Sequence, residues 1–225
     1  KKQTQFIASA SHELRTPLAV VRSGLESVEK CSNEEERNHF LHLMSEETVH
    51  MKRLIDDMLL LANSDADTLT IKPEACQPDL LLLDTYEKFE PLAKKNGIHL
   101  ILTLPEEILP DCFCDIHRTE QIFSIIVDNA LCYTPSCGKV TLSCHAENEM
   151  LCFLFKDTGC GISEEKKSHI FERFYRADDA HTDREHFGLG LCIAKELTEK
   201  QNGNIQVVDA PISGSCFMVQ LPCAL

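Results

Sequence analysis

Phe6-Ile7-Ala8-Ser9-Ala10-Ser11-His12-Glu13-Leu14-Arg15-Thr16-Pro17-Leu18 is the stretch on which the fold turns. Its apolar positions Ile7, Leu14 and Leu18 continue to Val21, Leu25 and Val28, at a spacing of seven and then of four and three alternately. That is a heptad seam, the mark of a helix that packs along its length. A second seam follows at Phe40, Met44, Met51, Leu54, Met58 and Leu61, interrupted by Glu47. Between them, Cys31-Ser32-Asn33-Glu34-Glu35-Glu36 reads as a helix stop, a cap and an acidic first turn. Residues 1–67 are therefore expected to form an antiparallel helical hairpin. A lone hairpin leaves much of its seam uncovered, so a second copy would complete a dimeric four-helix bundle. The alternative is that the seam packs against the rest of the chain. With Leu18 at heptad position a, His12 falls at b and Thr16 at f, one turn apart on the exposed side. Pro17 removes the helical bond to the carbonyl of Glu13, at a cost of ~3 kcal/mol if uncompensated.

The 225 residues carry 22 basic and 36 acidic side chains, a formal charge of −14. Such acidity excludes wrapping nucleic acid or lying on an anionic membrane. The composition, 43% hydrophobic and 26% charged, is that of a globular chain rather than a disordered one. No apolar run approaches the ~18 residues of a membrane span, and no signal peptide opens the chain. Of twelve cysteines, the one close pair is Cys112-x-Cys114, and no zinc-type paired spacing occurs. They read as reduced, buried thiols, with a metal site as the alternative.

From about Thr68 the texture changes, placing a second domain over 68–225. The pattern predicts strands at Leu69–Ile71, Ile98–Thr103, Lys139–Ala146, Met150–Lys156, Asn204–Val208 and Ser215–Leu221. Helices are expected at Pro78–Lys95, Asp115–Leu131 and Gly188–Gln201, and a hairpin turn at Glu147-Asn148. Helices and mostly antiparallel strands mix without a βαβ rhythm. The fold class is therefore α+β, an α/β sandwich with helices on one face of a mixed sheet. The acidity is uneven, with eight basic and twelve acidic residues in the first part and fourteen and twenty-four in the second.

Glycine is scarce, at nine residues, and four of them lie in two tight clusters. Asp157-Thr158-Gly159-Cys160-Gly161-Ile162 follows a predicted strand, and Gly188-Leu189-Gly190-Leu191 opens a predicted helix. Glycines let a backbone approach a ligand closely, and amides at a helix start can hold phosphates. The Phe6–Leu18 stretch closely resembles the phosphoacceptor box of two-component sensor histidine kinases. The two glycine clusters, in this order behind it, resemble the ATP-binding domain of the same kinases, which is related to the gyrase, Hsp90 and MutL ATPases. Asp128-Asn129-Ala130 resembles that family's asparagine box, and Phe171-Glu172-Arg173-Phe174-Tyr175-Arg176 its phenylalanine box.

The resemblance implies autophosphorylation by ATP and transfer of the phosphoryl group to an aspartate on the receiver domain of a response regulator, with phosphatase activity toward that regulator. It makes His12 the phosphoacceptor, Glu13 its proton acceptor and Thr16 the residue that positions water for dephosphorylation. Asp157 would receive adenine, Gly159 and Gly161 would shape the loop, and Tyr133 would line the pocket. Asn129 would hold Mg²⁺, and Arg173, Arg176, Gly188, Leu189 and Gly190 would meet the phosphates of ATP. Residues Ala177 to Phe187 correspond to the ATP lid. The resemblance further implies a homodimer and the cytoplasmic part of a longer, membrane-anchored sensor whose membrane segments lie outside this chain. Three positions depart from the family pattern. Ile125 stands where a second asparagine is usual, Cys132 where a basic residue is usual, and Glu185-His186-Phe187 where glycines are usual. The first two remove polar contacts from the metal and phosphate end, which leaves open a catalytically weak kinase acting as phosphatase or docking scaffold.

Overall fold

A computed structural model describes residues 2–175, 187–208 and 214–224, with side chains from Ala8 onward. The chain divides into two compact units, Lys1–Thr68 with Arg173–Leu189, and Leu69–Glu172 with Gly190–Leu225.

In the first unit, α1 (Lys2–Val28) and α2 (Glu34–Asp65) lie side by side. Asn33 caps α2, its side chain accepting from the N–H of Glu36 at 2.7 Å. Glu34, Glu35 and Glu36 then sit at the positive end of the helix dipole. α1 continues through Pro17. The seam of α1 faces two ways. Among its described side chains, Ala10, Pro17 and Gly24, seven apart, are the buried positions, whereas Leu18 and Leu25 stay 57% and 55% exposed. Small residues let the two helices approach closely, and a Cβ on Gly24 would fall 2.6 Å from Met44 Cγ. On α2 the buried positions are Met44, Leu54, Leu60, Leu61 and Ser64. Glu47, which interrupts the seam, stands 4.0 Å from His50, and both side chains are largely buried.

The second unit is a five-stranded sheet ordered β2-β4-β5-β7-β6, with helices on one face. Its strands are β2 (His99–Thr103), β4 (Lys139–Glu147), β5 (Met150–Asp157), β6 (Asn204–Val208) and β7 (Cys216–Pro222). β2 runs parallel to β4, and the remaining pairs are antiparallel. A separate two-stranded ribbon pairs β1 (Glu74–Cys76) with β3 (Cys112–Cys114). The helices are α3 (Pro78–Lys95), α4 (Ile116–Tyr133), the single turn α5 (Glu164–Lys167) and α6 (Gly190–Glu199). Pro78 suits the first position of α3, where its missing N–H costs nothing. Asp115 caps α4 through the N–H of Arg118. The core is aromatic where α4 crosses the sheet. Phe123 meets Phe153 and Phe155 of β5 at ring separations of 4.8 and 5.0 Å.

The expected α+β sandwich is thus found, and α3 keeps its expected bounds. The expected strand at Leu69–Ile71 is not present, and the segment begins pairing only at Glu74. One reason is that the N–H of Lys72 donates to Asp115 Oδ2 at 2.9 Å, so a side chain replaces a strand neighbour there. The hairpin turn falls one residue later than the pattern predicts. Asn148 and Glu149 take positive φ, 51° and 62°, as a tight two-residue turn requires. No described helix is long and apolar enough to cross a membrane. All twelve cysteines are free, six of them buried.

Candidate functional site

In the first unit, the geometry of α1 decides which side chains are offered to solvent. At ~100° per residue, His12 and Thr16 lie about 200° and 240° around the helix from buried Ala10. Both are exposed. The His12 ring is 74% exposed, and its Nδ1 stands 3.9 Å from Glu13 Oε1. That is one small side-chain rotation from a hydrogen bond. The other ring nitrogen, Nε2, is then the one left for an incoming electrophile. Within the same unit Arg173 forks onto Asp65, Nη1 to Oδ2 at 2.8 Å and Nη2 to Oδ1 at 2.7 Å. This bidentate pair holds the Asp65 carboxyl below the usual carboxylate range. Phe174 takes a positive φ of 62° and donates its N–H to the carbonyl of Gly188 at 2.9 Å. A Cβ on Gly188, itself at φ +70°, would meet Tyr175 O at 2.8 Å. The chain on either side of residues 176–186 is therefore clasped, and glycine is needed at 188. Leu189 is buried. Arg176 and the expected lid residues Ala177 to His186 lie outside the described residues.

In the second unit, the end of α4 and the loop after β5 enclose an open cleft of about 460 Å³. Cys132, Tyr133, Thr134, Pro135, Thr158, Gly159 and Cys160 line it. Gly159 presses so closely on α4 that an added Cβ would sit 2.3 Å from Tyr133 O. Asp157 ends β5 beside this cleft and is 3% exposed. Its Oδ1 accepts from the N–H groups of Gly159 at 2.8 Å and Ser215 at 3.1 Å. Burial raises its carboxyl above the ordinary range, and those two backbone donors oppose the rise. The Ser215 side chain adds a further hydrogen bond to the carboxylate, which also opposes the rise. Gly161 and Gly214 pack against each other, both at positive φ, and a Cβ on Gly214 would fall 2.1 Å from Asp157 O.

Ile125, Asn129 and Tyr133 are four residues apart and share one face of α4. At the start of α6, a Cβ on Gly190 would lie 3.1 Å from Ile125 Cγ2. The expected phosphate-end glycine thus meets the face that carries Asn129. The Asn129 amide is half-buried and has no hydrogen-bond partner among the described residues. A neutral amide oxygen beside phosphates suits Mg²⁺, which takes few protein ligands and keeps waters and phosphate oxygens.

The structure thus places Tyr133 and Gly159 in one cleft, sets Asp157 next to Gly159, packs Gly161 against Gly214, and brings Gly190 to the α4 face that carries Asn129. Arg173 is engaged by Asp65, a partner that sequence reading did not suggest. Gly214 and Ser215 were also missed as site residues. They read as a loop end, and only the β5–β7 pairing brings them to Asp157.

Comparison with known proteins gives two family matches. Residues 2–67 match the His Kinase A (phospho-acceptor) domain, and residues 114–225 match the histidine kinase-, DNA gyrase B- and HSP90-like ATPase family. The chain is 34% identical to the sensor histidine kinase RppB of Synechocystis, across 99% of this chain and 49% of that protein. It is 33% identical to the sensor histidine kinase WalK of Bacillus subtilis, across 99% of this chain and 37% of that protein. The chain therefore spans half or less of the length of these relatives. Among solved structures, full-length ShkA in complex with AMPPNP aligns with a TM-score of 0.75 at 27% identity, over 100% of this chain and 46% of that one. Histidine kinase ThkA in complex with response regulator protein TrrA aligns with a TM-score of 0.78 at 19% identity, over 98% of this chain and 61% of that one. The latter likeness is one of fold.

Proposed function

The chain belongs to the sensor histidine kinase family, and from that premise we propose that it is an ATP-dependent protein histidine kinase core of two-component signalling. Residues 1–67 carry dimerisation and the phosphoacceptor, and residues 68–225 bind the nucleotide. His12 Nε2 attacks the γ-phosphorus of ATP. The bond from that phosphorus to the bridging oxygen breaks, and its electron pair leaves on ADP. The proton on Nδ1 passes to Glu13. Asp157 Oδ2 accepts from the exocyclic amine of adenine, while Gly159 and Gly161 let the backbone approach the base. Tyr133 lines the cleft, and the Gly188-Leu189-Gly190 segment receives phosphates at the start of α6. Arg173 and Arg176 neutralise phosphate charge, since the fork that fits Asp65 fits a phosphate equally. Asn129 would hold Mg²⁺, which supplies charge neutralisation where an acidic unit must admit an anionic nucleotide. The chemistry is then mostly positioning and electrostatics. The phosphoryl group passes to a receiver aspartate of a response regulator, and Thr16 positions the water that later hydrolyses the aspartyl phosphate to aspartate and inorganic phosphate.

The observation that carries this reading is the exposed His12, with Glu13 3.9 Å from its Nδ1. Incubation with labelled Mg·ATP tests it. Acid-labile, base-stable label that disappears in His12→Gln is expected, and no label on the folded chain under any condition would sink it.

A second reading, a weak kinase serving as phosphatase or scaffold, is favoured by the apolar Ile125 facing Gly190. Under it, nucleotide binds tightly while His12 labels slowly, and Ile125→Asn with Cys132→Lys speeds labelling. An unchanged rate in that double variant counts against these two residues as the cause.

A further inference from the structure

We propose that Cys76, Cys112 and Cys114 form a three-thiolate site for a thiophilic divalent cation, with zinc as the ion. The ribbon's register sets Cys76 opposite Cys112 and Glu74 opposite Cys114. Alternation along β3 then sends Cys112 and Cys114 to one face and Phe113 to the other. The burial agrees, with both cysteines fully buried and Phe113 43% exposed. The three Sγ atoms lie within 4.8 Å of one another, and Cys76 Sγ stands 3.4 Å from Cys114 Sγ. Around tetrahedral zinc, with Zn–S of about 2.3 Å, the sulfur–sulfur edge is about 3.8 Å. The thiols are therefore already gathered to within small rotations of a coordination shell. Cys76 is only half-buried and gives an ion a way in.

Three features separate this cluster from ordinary core thiols. Its members come from two strands, 36 and 38 residues apart, so no local spacing motif could announce it. The strands that hold it are three residues long each, and three of those six positions are cysteine. The other candidate group among the described residues, His145, Glu147 and Cys152, has two exposed members, as solvated side chains often do. Charge selects the ion. Three thiolates around a divalent cation leave one residual negative charge, and around a monovalent one they leave two. The larger charge is costlier to bury. Coordination releases the three thiol protons to solvent. Asp115 is not among the gathered ligand atoms, and its two oxygens accept from Lys72 N and Arg118 N. The fourth corner is left to water or an outside ligand. A bound ion would clamp β1 to β3 directly before α4, the helix that carries Asn129.

The test uses the full chain kept reduced, with Zn²⁺ as probe and Mg²⁺ as control. After loading and buffer exchange, one zinc per chain is expected by elemental analysis and native mass spectrometry. Cys76→Ser and Cys114→Ser should each weaken zinc binding at least tenfold, while Cys31→Ser, in the other unit, should not. Co²⁺ substitution checks the site without any variant, since thiolate-to-cobalt charge-transfer intensity counts the sulfur ligands and should correspond to three. The proposal is overturned if the folded chain retains no zinc, if the serine variants retain it as tightly, or if cobalt shows no thiolate ligation. It also fails if zinc is not taken up while peroxide links Cys76 to Cys114, which would make the cluster a redox pair.

Discussion

The substitution Asp157→Asn separates nucleotide recognition from folding. The carboxylate has two backbone donors on Oδ1, from Gly159 and Ser215. To keep both bonds, the introduced asparagine must set its side-chain carbonyl oxygen there, which puts its NH₂ group where Oδ2 had been. The adenine amine, itself a donor, then faces a donor. A hydrogen bond to a charged group is worth about 1.5–3 kcal/mol. At 1.4 kcal/mol per factor of ten, nucleotide affinity should fall by roughly 10- to 150-fold. Folding should not suffer. Burial raises the Asp157 carboxyl above its ordinary value, so the folded state holds its proton more tightly than the unfolded state does. Stability from this group is therefore lost as pH rises from the ordinary carboxylate range through the raised value. The neutral variant has no such loss. Relative to the parent chain, its thermal midpoint should hold at pH 5 and gain, if anything, at pH 7. Displacement of a fluorescent ATP analogue measures the affinity, and melts at the two pH values measure the fold. A folded variant that binds nucleotide within twofold of the parent would refute Asp157 as the adenine group.

Phe123→Ala should destabilise the second unit by about 3–5 kcal/mol in denaturant melts, because it empties the contact with both Phe153 and Phe155. Gly159→Ala should abolish nucleotide binding in the same displacement assay with the fold retained, since the new methyl would sit 2.3 Å from Tyr133 O and push the loop into the cleft. Asp57 on α2 is raised from 3.8 to about 6, chiefly by burial, with Arg53 opposing and Asp56 adding. Stability should therefore fall as pH rises from about 4 through about 6, and Asp57→Asn should flatten that slope in helical melts.

The elements that could be read from the chain are those whose ends are set by local chemistry. Pro78 fixes the start of α3, Asp115 caps α4, and period-two alternation marks β4 and β5. The proposed nucleotide loops could be read because glycine is rare here and clusters where backbone must pass close to backbone. What escaped depends on contacts between distant residues. The ribbon β1–β3 exists only as a pair, and neither three-residue strand carries a pattern of its own. Ser215 acquires a role only because β7 lies beside β5. Asp65 gains its partner from a residue 108 positions away. The same limit hid the thiol cluster, of which the chain betrays only Cys112 and Cys114.

The helical seam shows how far periodicity can be pushed. A heptad of leucines and valines predicts a single partner face, yet α1 meets α2 through Ala10, Pro17 and Gly24. On the helix, Leu18 and Leu25 lie about 80° and 60° from Ala10, beside that stripe rather than on it. On α2, Leu41, Ile55 and Leu59 are likewise exposed, at 47%, 43% and 56%. α1 thus closes on small residues and leaves large aliphatic ones outside, while α2 buries Met44, Leu54, Leu60 and Leu61 and leaves these three exposed. Each such side chain would gain about 1.5–3 kcal/mol on full burial. The intramolecular contact thus leaves part of the apolar surface of both helices uncovered. What remains supports the proposed pairing of two copies into a four-helix bundle. His12, about 120° further around α1 than Leu18, would still face solvent in such a bundle, where a nucleotide could reach it.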